Sequence, residues 1–208
     1  MKGKKPFDYP TEPHKRRHGP RGYRDYADYR PWLRDDFTFR CVYCLTRERW
    51  VQKGGMHLDH FVSRKLDESA ATDYGNLVYA CQRCNSTKRA NLVPNPEAVA
   101  FGECLEVLED GSITYLNEEG EWLIGLLGLD SDDQKEWRRQ RILEMRYLNK
   151  KRATDKEAQE LFSYLFGYPS NLPDLASLPE PPEGNSRKEG IQESAHARKR
   201  RDELPDYY

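Results

Sequence analysis

The hydrophobic positions between residues 56 and 88 predict two short strands followed directly by a helix. The runs Met56 to Val62 and Asn76 to Ala80 have the length and apolar content of strands, and a polar loop separates them. Residues Gln82 to Lys88 are compatible with a short helix that begins where the second strand ends. A hairpin followed by a helix brings the end of the first strand close to the first turn of that helix.

The next stretch predicts a second hairpin. Two alternating runs between residues 104 and 116 flank Asp110-Gly111, a pair that favours a tight type I′ turn. Cys104, at the start of this hairpin, is interpreted as an ordinary small apolar residue. The apolar run 122–127 that follows is too short to distinguish a strand from a helix.

Capping signals and apolar periodicity predict two further helices. Ser131 begins a capping box, and its helix is expected to continue to about Lys151. Thr154 begins a second capping box, and Pro169 follows the end of its helix. Core packing is predicted for the apolar stripe of this last helix, which consists of Leu161, Phe162, Leu165 and Phe166.

The two ends of the chain differ in composition from its middle. Residues 1–36 are rich in Arg, Lys, Tyr and Pro, and residues 169–208 contain six prolines with little periodicity. We expect a basic, aromatic N-terminal arm and an extended, mostly flexible C-terminal tail. Between them we expect a core at 37–93 and, at 94–168, accessory elements that pack on that core.

Overall composition narrows the class of protein. Of the 208 residues, 33% are charged and 37% are hydrophobic, and the mean hydropathy is −0.99. No apolar run approaches the roughly 20 residues that a membrane span requires. No apolar segment follows the lysines of the first ten residues, so no secretory signal is expected. We therefore expect a cytoplasmic protein with no membrane partner.

The net charge of −1 conceals an asymmetry between the two halves of the chain. Residues 1–93 carry 19 Lys and Arg against 11 Asp and Glu, whereas residues 94–208 carry 15 against 24. A basic first half favours an anionic ligand such as nucleic acid, although two solvated halves are the alternative. The cations expected to contact phosphate are Lys15, Arg16, Arg17, Arg64, Lys65, Lys88 and Arg89. The run Arg198 to Arg201 is weaker evidence of the same kind.

Four of the five cysteines form two pairs with the same spacing. Cys41 and Cys44 make one C-x-x-C pair, and Cys81 and Cys84 make the other. Two such pairs can supply four thiolates to one tetrahedral zinc ion, and a site closed by four sulfurs is structural. A reductive cytosol favours metal ligation over disulfides. The 36 residues between the pairs leave room for a functional insert held at both ends.

The insert contains residue types that suit phosphodiester hydrolysis. A hard divalent cation such as Mg²⁺ takes oxygen ligands, which the Asp59 carboxylate and the Asn85 amide can supply. A neutral imidazole at His60 can accept a proton from an attacking water, because its ordinary pKa lies near neutrality. The metal ion would stabilise the negative charge that develops on the phosphorus oxygens.

Asp59-His60, Asn76-Leu77 and Cys81-x-x-Cys84-Asn85, bracketed by cysteine pairs, resemble the HNH endonucleases of the ββα-metal (His-Me finger) superfamily. The resemblance covers about residues 37–93. It implies an α+β fold with a zinc-stapled ββα-metal core, followed by the hairpin and two helices. His60 would be the general base, and Asp59 and Asn85 would be ligands of Mg²⁺ or Mn²⁺.

In the same family, Asn76 would be the residue that organises the loop and orients the histidine. His57, two positions before Asp59, is similar to a residue of phage junction-resolving members and would line the metal site. Many members carry a proline and a glycine-rich loop after the Asp-His pair, where this chain has Ser63-Arg64-Lys65. This departure affects substrate geometry rather than the catalytic positions.

The leading hypothesis is therefore a metal-dependent endonuclease that cuts DNA, with RNA as a second possible substrate. By resemblance, a protein of this kind would act in bacterial or phage restriction, in anti-phage defence or in a mobile element. One alternative is a nuclease subunit that acts only with a partner, such as an ATPase docked through the acidic C-terminal half. Another is a zinc-stabilised nucleic-acid-binding module without cleavage, which would not need the Asp-His pair.

Overall fold

The structure, a computed structural model, describes residues 5–208, so the first four residues of the predicted arm lie outside the described part. The helices and strands, in chain order, are α1 (Arg30–Asp36), β1 (Met56–His60), β2 (Leu77–Cys81), α2 (Gln82–Lys88), β3 (Leu105–Val107), β4 (Ile113–Tyr115), α3 (Glu118–Leu127), α4 (Asp132–Lys151), α5 (Lys156–Phe166) and α6 (Ala195–Arg200). Small antiparallel sheets combined with helices confirm the predicted α+β class.

The described chain folds into two compact units. The hairpin–helix unit contains Lys15–Leu92 and Pro169–Pro205. The helical unit contains residues 5–14, Val93–Tyr168 and Asp206–Tyr208. Most of the predicted arm and most of the predicted tail therefore share one unit with the predicted core.

The first hairpin and its helix form where the sequence predicts them. β1 pairs antiparallel with β2, so that Asp59 lies opposite Val78 and His60 lies opposite Leu77. Every residue of β2 is buried, which explains why this strand is a continuous apolar run rather than an alternating one. α2 begins at the residue after β2. Cys81 lies opposite Met56, so α2 begins beside the start of β1 rather than beside its end. The end of β1 contacts the last turn of α2, through the hydrogen bond from Lys88 to the His60 carbonyl, whereas the sequence predicts the first turn.

The tail, for which we expect an extended course, runs along the arm within the hairpin–helix unit. Asn185 pairs with Pro20 in an isolated bridge, and its side-chain oxygen accepts a hydrogen bond from the Gly19 amide at 2.9 Å. The amide of Ala195, at the start of α6, donates to the buried Asp35 carboxylate at 2.7 Å. Polar contacts to the arm thus position the tail. Its flexibility in solution stays a prediction.

The helical unit contains the second hairpin and three helices. The apolar run of ambiguous type belongs to α3, whose N-cap is Asn117. The hairpin is present, but the type I′ prediction is wrong, because that turn needs positive φ at two successive residues and Gly111 (φ 85°) has it while Asp110 does not. Asp155, rather than Thr154, caps α5, because its side chain accepts a hydrogen bond from the Ala158 amide.

The side chains that α4 and α5 bury differ from those that the sequence predicts. Phe162 and Phe166 are buried, but Leu161 of the predicted apolar stripe is 47% exposed. Arg138, on the basic face of α4, is buried and donates hydrogen bonds to the carbonyl oxygens of Gly111 and Leu129. Among the described helices, none is both long enough and apolar enough to cross a membrane.

Candidate active site

The four paired cysteines meet at one point of the hairpin–helix unit. All four are buried and unbonded to one another, and their Sγ atoms lie within 4.8 Å of each other. The Sγ atoms of Cys44 and Cys81 are 3.6 Å apart. A zinc ion at about 2.3 Å from four tetrahedral thiolates separates the sulfurs by about 3.8 Å. The cluster therefore has the donor type, number and spacing of a closed zinc site.

Backbone geometry shapes the first cysteine pair into a tight loop. The Cys41 amide donates to the Thr46 carbonyl at 2.9 Å, and the Leu45 amide donates to the Cys41 carbonyl at 3.0 Å. Leu45 adopts a left-handed conformation with φ of 59°. The next amide, that of Val42, donates to the Tyr79 carbonyl of β2. The loop is thereby fastened to the strand that leads into the second cysteine pair.

His60 ends β1 and points one ring nitrogen at a fixed acceptor. Its Nε2 lies 2.9 Å from the Ala71 carbonyl oxygen. Because a carbonyl oxygen can only accept, Nε2 carries the proton and Nδ1 is left as the basic nitrogen. Burial lowers the pKa of His60 from its ordinary value of 6.5, against the opposing effect of the Ala71 contact. The imidazole is therefore held neutral and in one tautomer.

An aromatic residue of the arm packs on the same imidazole. The ring of Tyr26 meets the ring of His60 edge to face, with centroids 4.8 Å apart. The guanidinium of Arg64 lies over the Tyr26 ring, 5.5 Å from its centroid. This contact restricts the rotation of His60 from a second side.

Asn76 holds the loop between the two strands. Its side-chain oxygen accepts from the Val62 amide at 2.7 Å, and its amide group donates to the Val62 and Ala70 carbonyl oxygens at 2.9 and 3.1 Å. Ala70 precedes the residue whose carbonyl binds His60. The buried Asn76 amide therefore holds the loop that carries the acceptor of His60, and its role in orienting the histidine stays a prediction.

Asp59 is buried, and both of its carboxylate oxygens have partners. Tyr43, which lies inside the first cysteine pair, donates to Oδ2 at 2.9 Å. The ammonium of Lys88 lies 3.4 Å from Oδ1 and also donates to the His60 carbonyl at 2.8 Å. Burial raises the pKa of Asp59 above its ordinary value, while Lys88 and Tyr43 oppose that shift.

The other two predicted ligands of a divalent cation are less constrained. Asn85 is half-buried on α2, one turn before Lys88. His57 is two residues before Asp59 on β1, so both project from the same face of the strand. Its Nε2 is buried without a hydrogen-bond partner among the described residues. Beyond the four cysteines, the described residues contain no second group of three or more His, Cys, Asp or Glu placed to hold a metal.

Several cations predicted to contact phosphate have internal partners instead. Arg16 is buried and donates to the Leu77 carbonyl at 2.6 Å, and Arg17 forms an ion pair with Asp35 at 3.1 Å. Lys88 is fully buried. The predicted cations that remain exposed are Lys15, Arg64, Lys65 and Arg89.

Comparison with known protein families gives a match over the region that contains these residues. Residues 41–91 match the HNH endonuclease family. The match begins at the first cysteine of the cluster and ends just beyond α2, so it contains His60, Asp59, Asn76 and Asn85. It confirms the resemblance stated from the sequence, whereas the residues outside this HNH domain are not covered. No curated protein matches the chain.

Sequence patterns do not reveal three contacts of the HNH domain. Tyr43 is hidden within the cysteine spacing, yet the fold of the cysteine loop points it at Asp59. Lys88 looks like one more exposed cation, although its spacing of three from Asn85 places both on one face of α2. Tyr26 is one of many tyrosines in the arm, and nothing in its spacing distinguishes it.

Proposed function

We propose that this chain is a divalent-metal-dependent endonuclease that hydrolyses phosphodiester bonds of DNA. The observation that carries the proposal is the orientation of His60, whose Nε2 is fixed by the Ala71 carbonyl. Its free Nδ1 is the general base that removes a proton from the attacking water. The match of residues 41–91 to a family of nucleases supports the same reaction class.

Asp59 and Asn85 are the residues that would hold the catalytic Mg²⁺ or Mn²⁺, with His57 beside them. Their oxygen donors suit a hard cation. Each carboxylate oxygen of Asp59 keeps a further lone pair besides its contact with Tyr43 or Lys88. When bound, the cation supplies charge stabilisation for the pentavalent phosphorus and the leaving oxygen. The buried cation of Lys88 opposes the rise in the pKa of Asp59 that burial causes.

The cysteine cluster takes a structural zinc ion in this proposal. Four thiolates leave no open position for substrate. A bound ion would tie the loop that carries Tyr43 to α2, because Cys84 lies on that helix with Asn85 and Lys88. Zinc would therefore help to position both partners of Asp59 without entering the reaction. A cytoplasmic setting, where thiols stay reduced, is part of the proposal.

The biological setting proposed is bacterial or phage restriction or anti-phage defence. A nuclease that acts only with a protein partner is the second candidate. Exposed hydrophobic side chains on the helical unit favour it, since Leu143 and Tyr147 lie one turn apart on α4 and are 45% and 62% exposed. A zinc-stabilised binding module without cleavage is disfavoured by the oriented His60.

Supercoiled plasmid incubated with the zinc-loaded protein and Mg²⁺ or Mn²⁺ tests the proposal. We expect conversion to the nicked form, and no conversion without added divalent cation. A structured RNA of similar length, run in parallel, tests the choice of substrate. The Asp59→Asn variant should lose cleavage while retaining zinc. Cleavage that is unchanged by removal of Mg²⁺ and Mn²⁺, or by Asp59→Asn, would refute the mechanism.

A further inference from the structure

The basic run Arg198 to Arg201 is divided by the structure into two pairs of different role. Arg198 donates to the Glu203 carbonyl at 3.0 Å, and Arg201 binds the Glu203 carboxylate at 2.7 Å. These two residues fasten the end of α6 to the chain that follows. The side chains of Lys199 and Arg200 are exposed and make no hydrogen bond or ion pair within the described chain. They are therefore available to an external anion.

Lys199 and Arg200 border a cavity in the hairpin–helix unit. The cavity measures about 400 Å³ and is lined by Ser170, Leu172, His196, Lys199 and Arg200. His196, Lys199 and Arg200 stand at i, i+3 and i+4, so they share one face of α6. The remaining lining comes from the tail segment that begins at Pro169. A helix face and an extended segment thus border the space on two sides, and it is open to solvent.

The cavity presents hydrogen-bond donors of the kinds that recognise phosphate. A guanidinium offers a planar fork and an ammonium offers three donors, and both groups are unshared here. The Ser170 hydroxyl adds a neutral donor. The nearby carboxylate of Asp174 lies 3.4 Å from His196 Nδ1 and accepts a hydrogen bond from the Ser177 hydroxyl. Its negative charge is therefore partly balanced by partners within the protein. Leu172 supplies an apolar wall that suits a sugar.

We propose that this cavity binds a phosphodiester group of the nucleic-acid substrate, outside the catalytic hairpin. The inference rests on the proposed function, since it assigns a second contact to the same substrate. Lys199 and Arg200 would take over part of the phosphate contact that the sequence assigns to Arg16 and Arg17. Those two arginines bind the Leu77 carbonyl and the Asp35 carboxylate instead. The tail is anchored to the arm through Ala195 and Asn185, so the cavity belongs to the unit that carries His60.

Binding of a short fluorescent DNA duplex, followed by anisotropy over a range of salt concentrations, tests the site. The experiment is run without added Mg²⁺ or Mn²⁺ so that cleavage does not compete. The Lys199→Gln/Arg200→Gln variant should bind at least roughly tenfold more weakly at 0.1 M salt, and its salt slope should fall by about 1.8. Lys150→Gln/Lys151→Gln, which removes the same charge from the end of α4, should bind like the wild type.

A second variant guards against an effect on the folding of α6. Ser170→Asp places a negative charge in the cavity from outside the helix and should weaken binding in the same way. Equal losses in the Lys199/Arg200 and Lys150/Lys151 variants, or no loss in either, would overturn the site. Calorimetric titration with inorganic phosphate or poly-glutamate is a further check. The site would also be overturned if the Lys199/Arg200 variant lost binding of phosphate or poly-glutamate but kept the DNA affinity of the wild type. A wild type that binds no DNA would refute the proposed function as well.

Discussion

The buried pair of Lys88 and Asp59 gives the sharpest prediction about stability. In Lys88→Met the ammonium is lost, while a side chain of similar length remains in its place. The charge of Asp59 then stays buried with only the Tyr43 hydroxyl as a partner. Both side chains of the pair are within 5% of full burial, so solvent does not screen the loss.

The size of the effect follows from the geometry of the pair. Two unit charges 3.4 Å apart attract by about 5 kcal/mol at an effective dielectric constant of about 20. Lys88→Met also removes the free-energy cost of burying the ammonium, which offsets part of the lost attraction. Removing one partner of a buried pair typically costs about 3–5 kcal/mol, so we expect a loss of about 3 kcal/mol at pH 7.5.

Lower pH should reduce this deficit, the loss of unfolding free energy in Lys88→Met. Burial already raises the pKa of Asp59, and loss of Lys88 removes the largest opposing effect. An acid whose pKa is raised by folding destabilises the native state only at pH values where its carboxylate is ionised. The deficit should therefore shrink as pH falls from 7.5 toward 5. Asp59→Asn added to Lys88→Met should recover most of the loss at pH 7.5.

Urea unfolding of zinc-loaded protein at several pH values measures these differences. Lys65→Met is the matched control, because it removes one exposed lysine of the loop and should change stability by less than about 0.5 kcal/mol. The reasoning is refuted if Lys88→Met stays within about 1 kcal/mol of the wild type at pH 7.5. It is also refuted if Asp59→Asn does not reduce the deficit.

Three other predictions concern the same domain. Arg89 is exposed and has φ of 53° and ψ of −126°, a backbone conformation that favours glycine. Arg89→Gly should therefore stabilise the folded protein by about 1 kcal/mol and weaken DNA binding, whereas Arg89→Ala should only weaken DNA binding. Equal urea midpoints for the Gly and Ala variants would contradict this. The lowered pKa of His60 keeps the base neutral into mild acid, so the acid limb of cleavage rate against pH should have a midpoint below 6.5; a midpoint at 7 or above would count against it. Cys84→Ser should unfold the domain with loss of zinc, and a folded, zinc-free variant by circular dichroism and metal analysis would disprove that.

The hairpin, the helix after it and the cysteine cluster were predictable because their signals are local. A buried strand, a fixed cysteine spacing and the Asp-His pair each lie within a few residues. The partners of Asp59 were not predictable in this way, since Tyr43 and Lys88 are 16 and 29 positions away. Whether a lysine meets a phosphate or a buried carboxylate depends on packing that its own neighbours in sequence do not encode.

The tail illustrates the same limit from the opposite direction. Its prolines and its lack of periodicity indicate an extended segment, and composition does not report hydrogen bonds made to a partner far along the chain. Asn185 and Ala195 bind residues 166 and 160 positions earlier. Four consecutive cations look equivalent in sequence, yet one acceptor, Glu203, occupies two of them and leaves the others exposed.

Cleavage by His60→Ala is the measurement that tests the central claim most directly. Supercoiled plasmid, Mg²⁺ or Mn²⁺ and zinc-loaded protein are compared for the wild type, His60→Ala and His14→Ala, a control histidine of the helical unit. We predict metal-dependent nicking by the wild type and by His14→Ala, and loss of at least roughly a hundredfold in rate for His60→Ala. A folded, zinc-loaded His60→Ala that nicks at the wild-type rate would contradict the account.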